Sequence, residues 1–200
     1  MKAVIFDVGG VLLRTHDWQG RHKWDVKLGV SIGTVEHTVF NSELGTAAQL
    51  GRVSTENHWS NIGSHFDLSN DDLQELRQDF WAGDRLDTSM VDMIRQLKKK
   101  YRTAIISNAF DDLRQVLTEE LEIADLFDVI TVSAEEGVMK PAAQIYQMTL
   151  DRLGCQPADA VFIDDNSGNI DGAQQIGLPA ILFKMPLNLP HALSQYNVDI

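Results

Sequence analysis

Cysteine is almost absent: Cys155 is the only one in 200 residues, so no internal disulfide can form and a reducing cytoplasm fits best. Nowhere do about 18 apolar residues run without interruption, which excludes a membrane-spanning helix on the sequence pattern. The N-terminus carries Lys2 and a short apolar run, but Asp7 breaks it and no small-residue cleavage site follows, so no signal peptide is expected. Basic residues are scarce beside acidic ones. The 17 Lys and Arg stand against 29 Asp and Glu, giving a net charge of -12 and no basic stripe that nucleic acid would need. One dense basic run exists, Lys98-Lys99-Lys100-Tyr101-Arg102. It closes an amphipathic segment, where cations favour a helix C-terminus, and a solvated helix end explains it. An acidic chain that handled a phosphorylated anion would have to offset its own field locally, with a metal or a lysine.

What remains is a chain with 44% hydrophobic residues, enough for one domain or one domain with a sizeable insertion. The run Val4-Ile5-Phe6-Asp7-Val8-Gly9-Gly10 reads as a buried strand stopped by a carboxylate and two glycines. From about Arg14 to about Thr88 helical periodicity dominates, all four tryptophans occur, and no strand of comparable strength is visible. Helices are expected from Ser54 to about Ile62 and from Ser69 to about Trp81, the latter with an N-cap and acids in its first turn. From Ser89 onward helices and strands alternate. Strands are expected at 103–108, 128–132, 160–164 and 180–183, with a helix carrying Phe110, Leu113, Val116 and Leu117 and another entered at Pro141. Short apolar strands between helices specify an α/β fold with a parallel, Rossmann-like sheet covered on both faces. The expected organisation is a core of residues 1–13 and 89–200 and an all-helical insertion of residues 14–88.

In an open parallel sheet, ligands bind beyond the carboxyl ends of the strands. Four polar clusters fall there: Asp7, Ser107-Asn108, Lys140-Pro141, and Asp164-Asp165-Asn166. They supply a carboxylate nucleophile, a hydroxyl and amide for anionic oxygens, a fixed cation, and two acids able to hold a divalent metal. Phosphoryl transfer to an aspartate requires such a set. Each residue also has an ordinary use: Asp7 in a turn, Lys140 solvated, Ser107 and Asn108 capping the next helix. Adjacent acids such as Asp164-Asp165 at the end of an apolar strand repel each other unless a cation is near.

These four clusters, in this order, resemble the haloacid dehalogenase superfamily of hydrolases, and the likeness covers almost the full length. Residues 162–173, Phe-Ile-Asp-Asp-Asn-Ser-Gly-Asn-Ile-Asp-Gly-Ala, carry most of it. The helical insertion is similar to that family's small cap, and the sugar-phosphate phosphatases and the phosphatase-like domain of soluble epoxide hydrolases look nearest. The resemblance implies that Asp7 attacks phosphorus, that Ser107 and Asn108 hold phosphate oxygens, and that Lys140 ties nucleophile to phosphate. It implies Mg²⁺ held by Asp7, Asp165 and Asp164, with Gly9 offering its backbone carbonyl, and a small phosphorylated metabolite as substrate.

One position departs from the pattern. Phosphatases of the family usually carry a second Asp two residues after the nucleophile, as general acid and base; here that position is Gly9. A group of that kind contributes about 10²–10⁴-fold. Its absence keeps two alternatives open: a phospho-ligand-binding or regulatory protein without turnover, and a metal-independent dehalogenase. His16 is a candidate proton donor or an ordinary surface histidine. Trp18, Trp24, Phe40, Trp59, Phe66 and Trp81 either line a substrate pocket or, for most of them, fill the core of the insertion. Oligomeric state is not encoded legibly.

Overall fold

In the computed structural model, which describes residues 1–200, five short apolar runs pair side by side in parallel. In chain order the elements are β1 (Ala3–Phe6), β2 (Leu13–Thr15), α1 (Gln19–Lys27), α2 (Thr34–Phe40), α3 (Glu43–Gln49), α4 (Thr55–His65), α5 (Asn70–Trp81), β3 (Asp84–Leu86) and α6 (Thr88–Leu97). There follow β4 (Arg102–Ser107), α7 (Leu113–Gln115), β5 (Val129–Val132), α8 (Ser133–Glu136), α9 (Ala143–Leu153), β6 (Ala160–Asp164), α10 (Ser167–Gln175), β7 (Ala180–Leu182) and α11 (Leu189–Ser194). The main sheet has the order β5-β4-β1-β6-β7, so β1 is central, with β4 and β6 on either side.

The alternation of side chains along a strand explains why these runs are mainly apolar at successive positions. Val4, Phe6, Ile105, Val161 and Ile163 face one layer, with Met90, Val91, Ile94 and Leu97 of α6 and Leu189 and Leu193 of α11. Ala3, Ile5, Ala104, Ile106 and Phe162 face the other, with Ile145, Tyr146, Leu150 and Leu153 of α9. Both faces being covered, these strands lack the polar face of a half-exposed sheet, and Thr103 and Thr131 within them are buried. No helix is long and apolar enough to cross a membrane.

Helices α1 to α5 form a separate layer around Trp24, Val35, Val39, Trp59, Ile62, Leu76 and Phe80. Trp24 and Trp59 are buried and Phe40 and Phe66 pack against this cluster, while Trp18 and Trp81 are exposed. Core filling therefore accounts for four of the six aromatics. Ser69 caps α5 as expected, accepting from the Asp72 amide, and Ser54 caps α4 in the same way, accepting from the Asn57 amide. The layer is entered and left through β2 and β3, a short antiparallel ribbon not foreseen from the sequence. Three residues per strand carry no readable period, and their pairing is set by tertiary contact. Arg14 of β2 and Asp87, just beyond β3, form an ion pair across it.

Two further expectations need correction. Phe110 precedes α7 instead of lying on its face, and it packs into the core of the helical layer, stacked on Phe40. Asp111 beside it accepts from both the amide (3.0 Å) and the hydroxyl (2.6 Å) of Thr55, at the start of α4. The loop after β4 thus belongs to both layers. Pro141 does not open α9, because Ala142 is still extended (ψ 132) and the helix begins at Ala143. The tail forms α11, whose Leu189 and Leu193 are buried. The basic run at 98–102 follows the end of α6 and is largely exposed, as read from the sequence, with Lys98 donating to the Asp125 carbonyl and Arg102 to the Leu153 carbonyl.

His58 of α4 is buried, with Nε2 3.0 Å from the Val39 carbonyl and Nδ1 without a partner, so Nε2 carries the proton. Burial pushes this imidazole below its ordinary 6.5. The unfolded chain then takes up the proton more readily than the folded one. Stability from this group is complete above 6.5 and is lost as pH falls below it. Urea unfolding across this range should show a loss of up to about 1.4 kcal/mol per pH unit from His58. His58→Gln should remove that part of the slope, and identical slopes in the two proteins would place the acid sensitivity elsewhere.

Candidate active site

Because β4 and β6 flank β1, three strand ends meet at one place. Asp7 follows β1, Ser107 closes β4 and Asp164 closes β6, with Asp165 next in sequence. Lys140 arrives from the segment between α8 and α9 and is fully buried. Its Nζ lies 2.9 Å from Asp7 Oδ1 and 2.6 Å from Asp164 Oδ2. The Val8 amide donates to the same Asp7 oxygen at 2.7 Å, which leaves Oδ2 as the unengaged oxygen of the nucleophile candidate.

The two adjacent acids differ sharply. Asp164 is saturated: Oδ1 accepts from the Asn166 amide (2.8 Å) and Asn169 Nδ2 (3.1 Å), Oδ2 from Lys140 Nζ (2.6 Å) and Asn169 Nδ2 (3.0 Å). Asn169 is itself tied down, its carbonyl accepting from the Tyr146 hydroxyl at 2.8 Å. Asp165 is exposed, with no ion pair. Burial pushes the Asp7 carboxyl up to about 7, Lys140 opposing it and Asp164 adding to it. Partial desolvation by the strand ends around it, and then the Asp164 charge, also raise Asp165. Carboxylate oxygens of Asp7, Asp164 and Asp165 lie within 4.8 Å of one another. One ammonium pairs with two of these three carboxyl groups and leaves Asp165 without a cation, an oxygen-rich acidic cluster that suits a divalent, oxygen-preferring cation such as Mg²⁺.

The expected residues converge, with one change of part. Asn108 does not present its amide to the space above Asp7; both ends bond the backbone of Lys140. The Ser107 hydroxyl is engaged by no other group of the chain, although Ser107 is buried. His16 lies beyond the end of β2, exposed, its amide donating to the Gly83 carbonyl. Cys155 is buried and free, with no sign of nucleophilic use.

Gly10 and Asn169 were not singled out from the sequence. An ideal Cβ on Gly10 would fall 2.0 Å from Asp165 Oδ2, and the residue sits at φ +72. The second glycine of the Gly9-Gly10 pair therefore makes room for the open carboxylate. Gly177, at φ +79 with nothing near its Cβ position, provides the matched control. Gly10→Ala and Gly177→Ala should each lose about 1–2 kcal/mol from left-handed strain. Only Gly10→Ala should also raise the Mg²⁺ concentration that shifts the melting temperature; equal Mg²⁺ responses would show that Asp165 does not need that space.

The chain matches the family model described as haloacid dehalogenase-like hydrolase over residues 1–177. It is similar to a sesquiterpene phosphatase of Aspergillus oryzae, 28% identical with 88% of this chain and 87% of that protein aligned. It is also similar to a D-ribitol-5-phosphate phosphatase of Bacteroides thetaiotaomicron, 24% identical over 88% and 89%. Among solved structures, a family enzyme of Bacteroides thetaiotaomicron in complex with magnesium and inorganic phosphate superposes with a TM-score of 0.79, 20% identity, and coverage of 96% and 98%. A match over most of the length, with the parallel sheet in place, settles the family: this chain is a haloacid dehalogenase-like hydrolase.

Proposed function

We propose that the chain is a Mg²⁺-dependent phosphatase of small phosphorylated metabolites, working through an aspartyl-phosphate on Asp7. The observation that carries this reading is the convergence of a nucleophile candidate, a buried ammonium and an open carboxylate at adjacent strand ends. Residues 14–88 act as the cap over that site. The relatives reported above are named for a terpenoid and for a sugar-alcohol phosphate, which supports phosphate esters and leaves the rest of the substrate open.

Asp7 Oδ2, the oxygen without a protein partner, attacks phosphorus while the bond to the leaving oxygen breaks. Lys140 holds the other oxygen and so fixes the direction of attack. Ser107, whose hydroxyl is uncommitted, takes a phosphate oxygen. Asp7 and Asp165 would hold Mg²⁺, with the Gly9 carbonyl in support, and Asp164 acts through water or through Lys140, which its saturated oxygens favour. The metal supplies charge neutralisation for the transferring phosphoryl group. Water then hydrolyses the acyl-phosphate and returns Asp7.

Asp7→Asn should abolish phosphate release from a panel of esters while circular dichroism and melting temperature stay those of a folded chain. Asp165→Ala should raise the Mg²⁺ requirement, with Asp71→Ala, an exposed acid of α5, as control. Asp79 would be a poor control, because it accepts from Lys23 and from the Trp24 indole, both at 2.8 Å. Activity surviving Asp7→Asn would put the nucleophile elsewhere. Halide release insensitive to chelator would favour a dehalogenase.

Gly9 has no side chain to protonate the leaving oxygen. It is outside the left-handed region, and its Cβ position meets nothing within 4 Å, so a side chain can begin there without backbone strain or a clash at Cβ. Rates on aryl phosphates should therefore fall steeply as the phenol becomes less acidic, and Gly9→Asp should flatten that dependence. A shallow dependence unchanged by the substitution would point to another donor, with His16→Ala the variant that identifies it. Ligand binding without turnover, converted to turnover by Gly9→Asp, would favour the binding protein.

A further inference from the structure

Lys140 belongs to no helix or strand, yet its ammonium is held between two carboxylates at 2.9 and 2.6 Å. A side chain with four methylenes reaches such a point reproducibly only if its own main chain is fixed. The fixing group is visible. Asn108 Nδ2 donates to the Lys140 carbonyl at 2.9 Å, and Asn108 Oδ1 accepts from the Lys140 amide at 2.7 Å. One planar amide thus grips both polar groups of a single residue, as a paired strand would. The grip is anchored in turn. The Ala109 amide donates to Ser133 Oγ at 3.0 Å, and Phe110 and Asp111 are locked into the helical layer.

We infer that Asn108 is a positioning residue: its side chain sets the place of Lys140 and, through it, of Asp7. This departs from the role implied by resemblance, in which Asn108 holds phosphate oxygens itself. The inference deepens the phosphatase reading and rests on it for its kinetic part. Its structural part stands alone.

The test combines a double-mutant cycle with a structure. Asn108→Ala should lower kcat on an aryl phosphate about 10- to 100-fold, the usual scale for a group that orients another. In a Lys140→Ala background the same change should cost nothing more, because its only route of action is gone. A full additional loss in that background would make Asn108 a direct phosphate ligand and overturn the proposal. The crystal structure of Asn108→Ala should show Lys140 Nζ displaced from Asp7 and Asp164. Unchanged contacts at 2.9 and 2.6 Å would overturn the proposal whatever the kinetics. If Asn108→Ala does not fold, Asn108→Asp serves, since it keeps the acceptor for the Lys140 amide and loses the donor to its carbonyl. A wild-type chain without phosphatase activity would count against the function, and the displacement of Nζ would then decide the positioning alone.

Discussion

The structure depends on one buried ammonium. Lys140 Nζ is closed off from solvent, and a lone cation there would cost several kcal/mol. It is tolerated because Asp7 and Asp164 meet it from two neighbouring strands. The dependence is mutual, since each of these buried carboxylates would be uncompensated without it. That arrangement requires β1 and β6 to be adjacent and in register, which the parallel pairing of Ala3–Phe6 with Ala160–Ile163 provides. The apolar layers on both faces hold the strands, and the strands hold the charges.

Charge is rationed within the site. A chain with a net charge of -12 repels an incoming anion, so the positive charge has to be placed where the anion reacts. Lys140 supplies one unit, already shared by two carboxylates. Asp165, left outside that pair and given room by Gly10, is the group proposed above to recruit more. Two neighbours in sequence thus divide the work: Asp164 spends all its acceptors on protein, and Asp165 spends none on a protein cation. Environment, not residue type, separates them.

The same contrast marks what could be read in advance. Asp7, Ser107 and Asp164-Asp165 stand out because a polar residue ending a continuous apolar run interrupts a one-dimensional pattern. Lys140 was legible only as a member of the set. The role of Asn108 was not, because it depends on which backbone lies opposite its amide, a fact of three dimensions. Phe110 misled for a related reason: its spacing to Leu113 and Leu117 fits a helix face, but the partner that outcompetes this is Phe40, distant in sequence. The ribbon of β2 and β3 is too short for any period. The aromatic residues followed volume, filling the core of the layer first and leaving Trp18 and Trp81 outside it.

The anchoring of Phe110 and Asp111 has a consequence for how such a protein can change over generations. The helical layer is contiguous from α1 to α5, yet its interior is completed by Phe110, beyond β4. As a folding and packing unit it is therefore discontinuous. A recombination event that exchanged the insertion alone would deliver a layer with a gap where a phenyl ring belongs, and an α4 start without its carboxylate. Such an exchange would have to carry two separated stretches of gene together, or repair the second by later substitution. The loop bearing Ser107 and Asn108 is thus tied by packing to the history of a layer whose sequence lies far upstream.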